Sequence, residues 1–165
     1  IPRQILFDET NINKKKVIVA KNKLSLINKK VEIITHTTRL TKENNSLLES
    51  ADIILDCTDN IATRKIIDKY CQANQKAWVH AAVNKSFGEV IAITKGNKTY
   101  SELVKNKVAT EDCQESGILS IAAIMTGTFQ ASITLRLLID KEAELSNIMF
   151  RLDAWKGDIQ QFKLV

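Results

Sequence analysis

The stretch DIILDCTDNIATR, residues 52–64, decides the fold of this 165-residue chain. Its apolar run 53–55 predicts a short buried strand. The triplet 58–60, Thr-Asp-Asn, follows at once and supplies a helix N-cap together with polar side chains aimed out of the sheet. Because α/β sheets build their sites at the carboxyl ends of their strands, the stretch predicts such a site here.

Composition places the chain among ordinary folded domains. Its 165 residues are 44% hydrophobic, which is enough for one core. No apolar run approaches the ~20 residues needed to cross a bilayer, and the first residues lack the pattern of a secretory signal. We therefore expect a cytoplasmic protein without a membrane partner.

Cysteine usage and charge exclude two further classes. The chain has three cysteines and no CxxC pair, so we expect neither a disulfide framework nor a zinc site. The net charge is +5, but the lysines are scattered and aromatic residues make up only 5% of the chain. Nucleic acid is therefore not an expected partner.

The rest of the chain alternates helices and strands. Apolar spacing predicts helices over about 14–27, 60–75 and 117–139, the last capped by Ser116, and a short helix ending near Glu49. Strands are predicted over 31–35, 77–83 and 88–94, and residues 99–117 are expected to form a loop. Residues 148–152 and 158–164 predict a closing antiparallel hairpin. This βαβ rhythm indicates one doubly wound α/β domain over 1–165, with a mostly parallel sheet.

Three segments of the chain, by their sequence, order and spacing, together resemble the ThiF, MoeB and HesA family of ATP-dependent activating enzymes for ubiquitin-like sulfur carriers. They are Arg3-Gln4-Ile5-Leu6-Phe7 followed by Lys16, the DCTDN motif at 56–60, and the segment around Cys113. The similarity covers nearly the whole chain. It implies a Rossmann-like adenylyltransferase that uses ATP and Mg²⁺ to activate the C-terminal glycine of a small sulfur carrier protein. It also implies a homodimer, with a sulfurtransferase as a further partner.

The resemblance assigns phosphate binding to three residues near the start of the chain. Arg3 and Lys16 match the cationic residues that hold ATP phosphates, and Gln4 accompanies Arg3 in the same motif. Such groups neutralise the charge that builds on the α-phosphate during attack. Arg3 is therefore expected to take part in catalysis as well as in binding ATP.

Asp59 is the strongest site candidate, because it matches the aspartate of the family's most specific motif. The resemblance implies that Asp59 organises Mg²⁺ and the phosphates, and that Asn60 beside it also binds the cofactor. Asp56 is of second rank, since an aspartate at a strand end is more often satisfied by local amides. Arg64 either pairs with a carboxylate or lies in solvent.

Cys113 matches the position at which several family members join to the carrier or pass sulfur onward. A thiolate near basic groups has the chemistry for such a step. The alternative is a spare thiol in a loop. Cys57 and Cys71 lie in a predicted strand end and a predicted helix, and are expected to be structural.

Two features of the family are not found in this sequence. The glycine-rich nucleotide loop would precede Ile1, so we expect an N-terminally truncated member whose first βαβ portion is missing, and which alone neither folds stably nor binds ATP well. Residues 98–102 occupy the place of a zinc-binding CxxC pair found in many relatives and contain no cysteine. The expected subgroup is therefore zinc-free.

Two alternatives remain open from the sequence. The first is an inactive family member that is retained as a binding partner. The second is a Rossmann-type NAD(P) oxidoreductase, which would need an acidic residue at the end of its second strand and a catalytic dyad. His36 and His80 are isolated in the sequence, and a lone histidine is more often structural.

Overall fold

The computed structural model of the protein describes residues 4–95, 98–103, 117–140, 145 and 148–164. The chain divides into two compact units, Ile1–Arg39 and Leu40–Val165. The first unit contains a 3-10 turn, Glu9–Asn11, and helix α1, Lys16–Ile27. The helix predicted over 14–27 is thereby confirmed.

The second unit carries the sheet. A 3-10 turn, Asn45–Leu48, leads into it. The described helices and strands that follow are β1 (Ile53–Asp56), α2 (Ile61–Ala73), β2 (Ala77–Asn84), β3 (Phe87–Ile93), α3 (Tyr100–Leu103), α4 (Ser120–Ile139), β4 (Ile148–Asp153) and β5 (Asp158–Lys163).

The five strands form one sheet in the order β1-β2-β3-β4-β5. β1 and β2 are parallel because α2 crosses between them, whereas the other three neighbouring pairs are antiparallel. The α/β class and the closing hairpin are confirmed. Among the described strands, however, the sheet is mixed rather than mostly parallel, because a turn of two residues, 85–86, joins β2 to β3 and is too short for a crossover.

Helices cover both faces of the sheet, as a doubly wound fold requires. On one face α2 packs on the sheet in a cluster that includes Ile67, Tyr70, Ile54 and Trp78. On the other face α4 packs through a cluster that includes Ile133, Val79, Val90 and Phe150. The core therefore consists of two layers separated by the central strands β2 and β3.

Helix α4 lies very close to the sheet at one point. A Cβ atom added at Gly88 of β3 would lie 1.8 Å from Oγ1 of Thr126. Only a glycine fits at this crossing without displacement. The helix is also long and apolar enough to cross a membrane by length and composition alone, a test that core helices of soluble proteins pass as well.

Three expectations about local structure need correction or lie outside the described residues. Residues 31–35 form no strand, because no described strand pairs with them and an extended backbone needs a partner for its hydrogen bonds. The long helix begins at Ser120 rather than at residue 117, with Leu119 at its N-cap position. The loop expected over 99–117 contains a short helix, α3 (Tyr100–Leu103), and its residues 104–116, which include Cys113 and Ser116, lie outside the described part of the chain.

Candidate functional site

The candidate site is built around Asp56, the last residue of β1, whose side chain is fully buried. Its Oδ1 atom accepts hydrogen bonds from the amide nitrogen and hydroxyl of Thr58, at 2.9 and 2.6 Å. Its Oδ2 atom accepts one from Nε of Arg64 at 3.2 Å and lies 2.7 Å from Nδ1 of His80. Four donors thus offset the cost of burying this carboxylate.

Three neighbouring elements bring these donors together. The parallel register of β1 and β2 makes Asp56 and His80 direct partners across the strands. Helix α2 begins after Asn60, whose Oδ1 accepts the amide hydrogen of Thr63 at 2.9 Å. With its start fixed there, α2 carries Arg64 in its first turn, where the guanidinium reaches Asp56.

The segment 57–60, which we call the Asp59 loop, is held from both sides at Thr58. Asp56 binds the amide and hydroxyl of Thr58, and Nη2 of Arg64 donates to its carbonyl oxygen at 2.7 Å. Both backbone polar groups of Thr58 are therefore fixed. The next residue, Asp59, lies beyond these fixed groups, at the carboxyl edge of the sheet.

Asp59 itself is exposed. In the described part of the chain its carboxylate has one hydrogen-bond partner, Nδ2 of Asn60, at 3.4 Å. The described residues contain no group of three or more His, Cys, Asp or Glu side chains that could hold a metal ion unaided. A solvent-facing carboxylate of this kind suits Mg²⁺, which keeps several waters and takes one or two carboxylates together with substrate phosphates.

Gln130 of α4 ties the long helix to the base of the site. Its Nε2 atom donates to the carbonyl oxygens of Asp56 and Val79, at 3.0 and 2.9 Å, and so joins α4 to both parallel strands. Its Oε1 atom accepts a hydrogen bond from Sγ of Cys57 at 3.5 Å. The sequence analysis missed Gln130, although a long amide side chain in a helix made mostly of apolar and small hydroxyl residues was an available signal.

The charge state of the site follows from burial and these hydrogen bonds. Burial alone would raise the pKa of Asp56, but the hydrogen bonds from His80 and Thr58 outweigh it and hold that pKa below its ordinary value. Burial lowers the pKa of His80. Asp56 is therefore ionised and His80 neutral near pH 7, and Nδ1 of His80 carries the hydrogen because a carboxylate only accepts.

A second buried carboxylate holds the start of α3. Asp68 of α2 accepts hydrogen bonds from the amides of Tyr100 and Ser101, at 3.1 and 3.2 Å, and from the hydroxyl of Ser101 at 3.0 Å. The Tyr100 ring lies 4.7 Å from the ring of His80. Residues next to the segment that carries Cys113 are thus anchored beside the site.

Of the phosphate-binding residues predicted from the sequence, two are described and lie together in the first unit. Nζ of Lys16 donates to Oε1 of Gln4 at 2.9 Å and sits 5.8 Å from the centre of the Phe7 ring. Arg3 and Cys113 lie outside the described residues. The roles assigned to all four residues remain predictions.

The structure changes the interpretation of two other residues. Asp56 was expected to be satisfied by local amides; it does bind the amide of Thr58, but it is also the centre of a wider set of side chains. His80, isolated in the sequence, is part of that set. The pairing was hidden because 24 residues separate the two side chains along the chain.

Parallel strands β1 and β2, the crossing helix α2 and polar side chains at the carboxyl ends of these strands define an α/β protein of the Rossmann type. The chain belongs to the ThiF family, whose family model matches residues 1–165.

Curated relatives cover almost the whole chain at low identity. The molybdopterin-synthase adenylyltransferase of Haemophilus influenzae is 30% identical over 170 residues, which are 99% of this chain and 69% of the relative. The sulfur carrier protein ThiS adenylyltransferase of Escherichia coli is 30% identical over 142 residues, or 84% of this chain and 57% of the relative. The adenylyltransferase and sulfurtransferase MOCS3 of Culex quinquefasciatus is 29% identical over 98% of this chain.

A solved structure shows the same fold. Escherichia coli MccB, crystallised with ATP, matches with a TM-score of 0.80 at 16% identity, over 99% of this chain and 52% of the MccB chain. The present chain also spans only 38% of the Culex relative. It thus accounts for about half, or less, of the length of several proteins that it resembles.

Proposed function

We propose that this chain forms part of an ATP-dependent adenylyltransferase that activates the C-terminal glycine of a small ubiquitin-like sulfur carrier protein. In this reaction the carrier carboxylate attacks the α-phosphate of ATP. The bond to the leaving pyrophosphate breaks, and a carrier adenylate forms. Membership of the ThiF family and the names of the curated relatives support this assignment.

The observation that carries the proposal is the way the Asp59 loop is built. Thr58 is fixed on both sides by Asp56 and Arg64, and yet Asp59 is left exposed at the carboxyl edge. A rigid support under an open carboxylate is what a metal-assisted phosphoryl reaction needs, because catalysis there depends on positioning and charge neutralisation. Asp59 would hold Mg²⁺, which would supply positive charge to neutralise and polarise the ATP phosphates.

The other roles follow from the resemblance to the family. Arg3 and Lys16 would neutralise phosphate charge, and Gln4 would support Lys16, to which it is hydrogen bonded. Asn60 would act mainly as the helix cap that places Asp59. Cys113 would serve the later covalent or sulfur-transfer step.

The proposed setting of the enzyme also comes from the resemblance. We place it in the cytoplasm as a homodimer, working with a thiamine or molybdopterin pathway carrier. A sulfurtransferase is the proposed further partner, since the Culex relative is named as both an adenylyltransferase and a sulfurtransferase.

The Asp56–His80 pair does not favour the oxidoreductase alternative. A catalytic dyad must touch its substrate, whereas His80 is only 1% exposed and Asp56 is fully buried. The Asp56–His80 pair therefore cannot serve as the acid–base dyad that hydride transfer would need. The remaining rival is the inactive family member.

ATP–pyrophosphate exchange by the complete protein, with a small sulfur carrier, tests the proposal. We expect exchange that depends on the carrier and on Mg²⁺, and a loss of roughly 100-fold or more in Asp59→Asn, because an aligned charge is removed from the reacting phosphates. Asp52→Asn is the matched control, since Asp52 is an exposed carboxylate at the other end of β1 and should retain activity. If the wild-type protein shows no exchange with any carrier, the inactive binding partner is the better description.

A further inference from the structure

His80 lies directly behind the Asp59 loop without being able to reach a substrate. Its side chain is buried, and its Nδ1 atom lies 2.7 Å from Oδ2 of Asp56, which in turn binds Thr58. We propose that His80 is a positioning residue that holds the Asp59 loop in its working geometry through Asp56. This inference rests on the proposed function only in that it gives Asp59 a role in turnover.

The hydrogen bond from His80 fixes the rotation of the Asp56 carboxylate. Oδ1 is committed to Thr58, while Oδ2 receives Nδ1 of His80 at 2.7 Å and Nε of Arg64 at 3.2 Å. Without His80, the longer Arg64 contact alone would hold Oδ2. The carboxylate could then turn, and the two hydrogen bonds to Thr58 would be lost or weakened together.

The surroundings of His80 keep its donor pointed at Asp56. Its ring packs 4.7 Å from the Tyr100 ring and 6.1 Å from the Trp78 ring, measured between centroids. Arg64 and Glu89 are further charged groups that act on it electrostatically, besides Asp56. Turning the imidazole would break this aromatic packing as well as the hydrogen bond, so the Asp59 loop depends on a side chain of the neighbouring strand.

Hydrogen exchange at the Thr58 amide tests the inference without any assay of activity. In the complete protein we expect His80→Leu to speed this exchange about tenfold or more, because the amide loses a well-oriented acceptor. His80→Asn, whose Nδ2 can take the place of Nδ1, should restore most of the protection. Val79→Ala is the matched control: it weakens the same strand from the other core cluster and should leave Thr58 protected.

A measurement on the unaltered protein keeps the test decisive if His80→Leu does not fold. Nitrogen chemical shifts of the His80 ring report which nitrogen carries the hydrogen. At pH 7.5 we expect Nδ1 to carry the hydrogen and Nε2 to be unprotonated. A ring protonated on Nε2 alone could not donate to Asp56, and the inference would be overturned.

Exchange kinetics separate this inference from the proposed function. If the wild type catalyses pyrophosphate exchange, His80→Leu should lower kcat by about 10- to 100-fold, as loss of an outer support to a metal-bound carboxylate does, while His80→Asn recovers it. If His80→Leu leaves kcat unchanged, or leaves hydrogen exchange at the Thr58 amide unchanged, the positioning role is contradicted. If the wild type is inactive, the proposed function fails, and the amide exchange and ring protonation still decide whether His80 holds the loop.

Discussion

At the scale of the residue, the buried carboxylate of Asp56 sets the behaviour of the site. It is ionised although no part of it is exposed, and the neutral His80 beside it supplies a hydrogen bond without a second full charge. Removing one partner from such a group leaves the other groups unsatisfied in a region of low polarity. The residues that donate hydrogen bonds to Asp56 are therefore energetically coupled. The loss of stability on replacing two of them together should differ from the sum of the two single losses.

His80 should make the stability of the protein depend on pH. Because burial lowers its pKa, His80 is neutral in the folded protein, whereas the unfolded chain takes up a proton below about pH 6.5. The unfolded state then binds more protons, so the free energy of unfolding falls as the pH drops from about 6.5 towards the folded pKa of His80. Asp56 and Glu89 raise that pKa and Arg64 lowers it, but burial is the largest effect.

Thermal melts between pH 7.5 and 5.5 measure this effect. We expect Tm to fall with pH in the wild type and to fall less in His80→Asn, which cannot titrate. The chain has two histidines, and His36 is exposed. His36→Asn is therefore the matched control and should keep the wild-type slope; equal slopes in all three proteins would contradict the prediction.

At the scale of the element, a polar contact and a close crossing add to the apolar packing of helix α4 on the sheet. Gln130 supplies the polar contact, through two hydrogen bonds to the backbone of β1 and β2. Gly88 and Thr126 form the crossing. Together they fix how far α4 stands from the strands that carry the site.

Replacement of Gln130 by leucine should destabilise the protein by roughly 2 kcal/mol or more, because two buried carbonyl oxygens lose their donor. Urea unfolding of the complete protein measures this loss. Ser132→Ala, an exposed substitution on the same helix, is the control and should change stability by about 0.5 kcal/mol or less. A Gln130→Leu protein as stable as the control would show that the contact adds little.

Replacement of Gly88 by alanine should cost roughly 1–3 kcal/mol, because the new methyl group would collide with Thr126 and force α4 away from β3. Gly127→Ala is the matched control. A Cβ added there would have no atom within 4 Å apart from its chain neighbours and the adjacent backbone of its own helix, so this substitution should be neutral or stabilising by up to about 1 kcal/mol. Combining Gly88→Ala with Thr126→Ala should recover part of the lost stability. Equal melting temperatures for Gly88→Ala and Gly127→Ala would contradict the prediction that α4 and β3 are too close at Gly88 for a methyl group.

At the scale of the whole molecule, a large amount of apolar surface remains exposed. Near the end of α4, Leu135, Leu138 and Ile139 are 57%, 47% and 83% exposed. In the described sheet, β1 has a neighbour on one side only. Both features favour association with other apolar or strand surfaces.

Residues 1–165 produced in isolation should therefore melt broadly and self-associate. Circular dichroism melts with light scattering, over a range of protein concentrations, measure both. Leu138→Glu should reduce the scattering while changing the melt little, since this side chain is half exposed. A sharp cooperative transition independent of concentration would contradict the prediction that these residues alone do not fold stably.

Local sequence determined the elements and the loop that carries Asp59. Cap residues and apolar spacing placed α1, α2 and most strands within a few residues, because these signals act between neighbours along the chain. The DCTDN motif at 56–60 was found for the same reason, since all its parts are contiguous. The same reasoning failed for residues 31–35, where alternation is present but no described partner strand exists.

Tertiary structure alone decided which side chains support that loop. His80 is 24 residues from Asp56 and Gln130 is 74 residues away, and each reaches Asp56 only through strand register or helix packing. The tertiary structure likewise decided that β4 pairs with β3 in an antiparallel orientation, since helix α4 lies between these two strands in the sequence. The physical reason is the distance along the sequence over which each signal acts. Helix caps and apolar periodicity involve residues a few positions apart. A buried carboxylate instead needs hydrogen-bond donors from elements that are brought together only when the core packs.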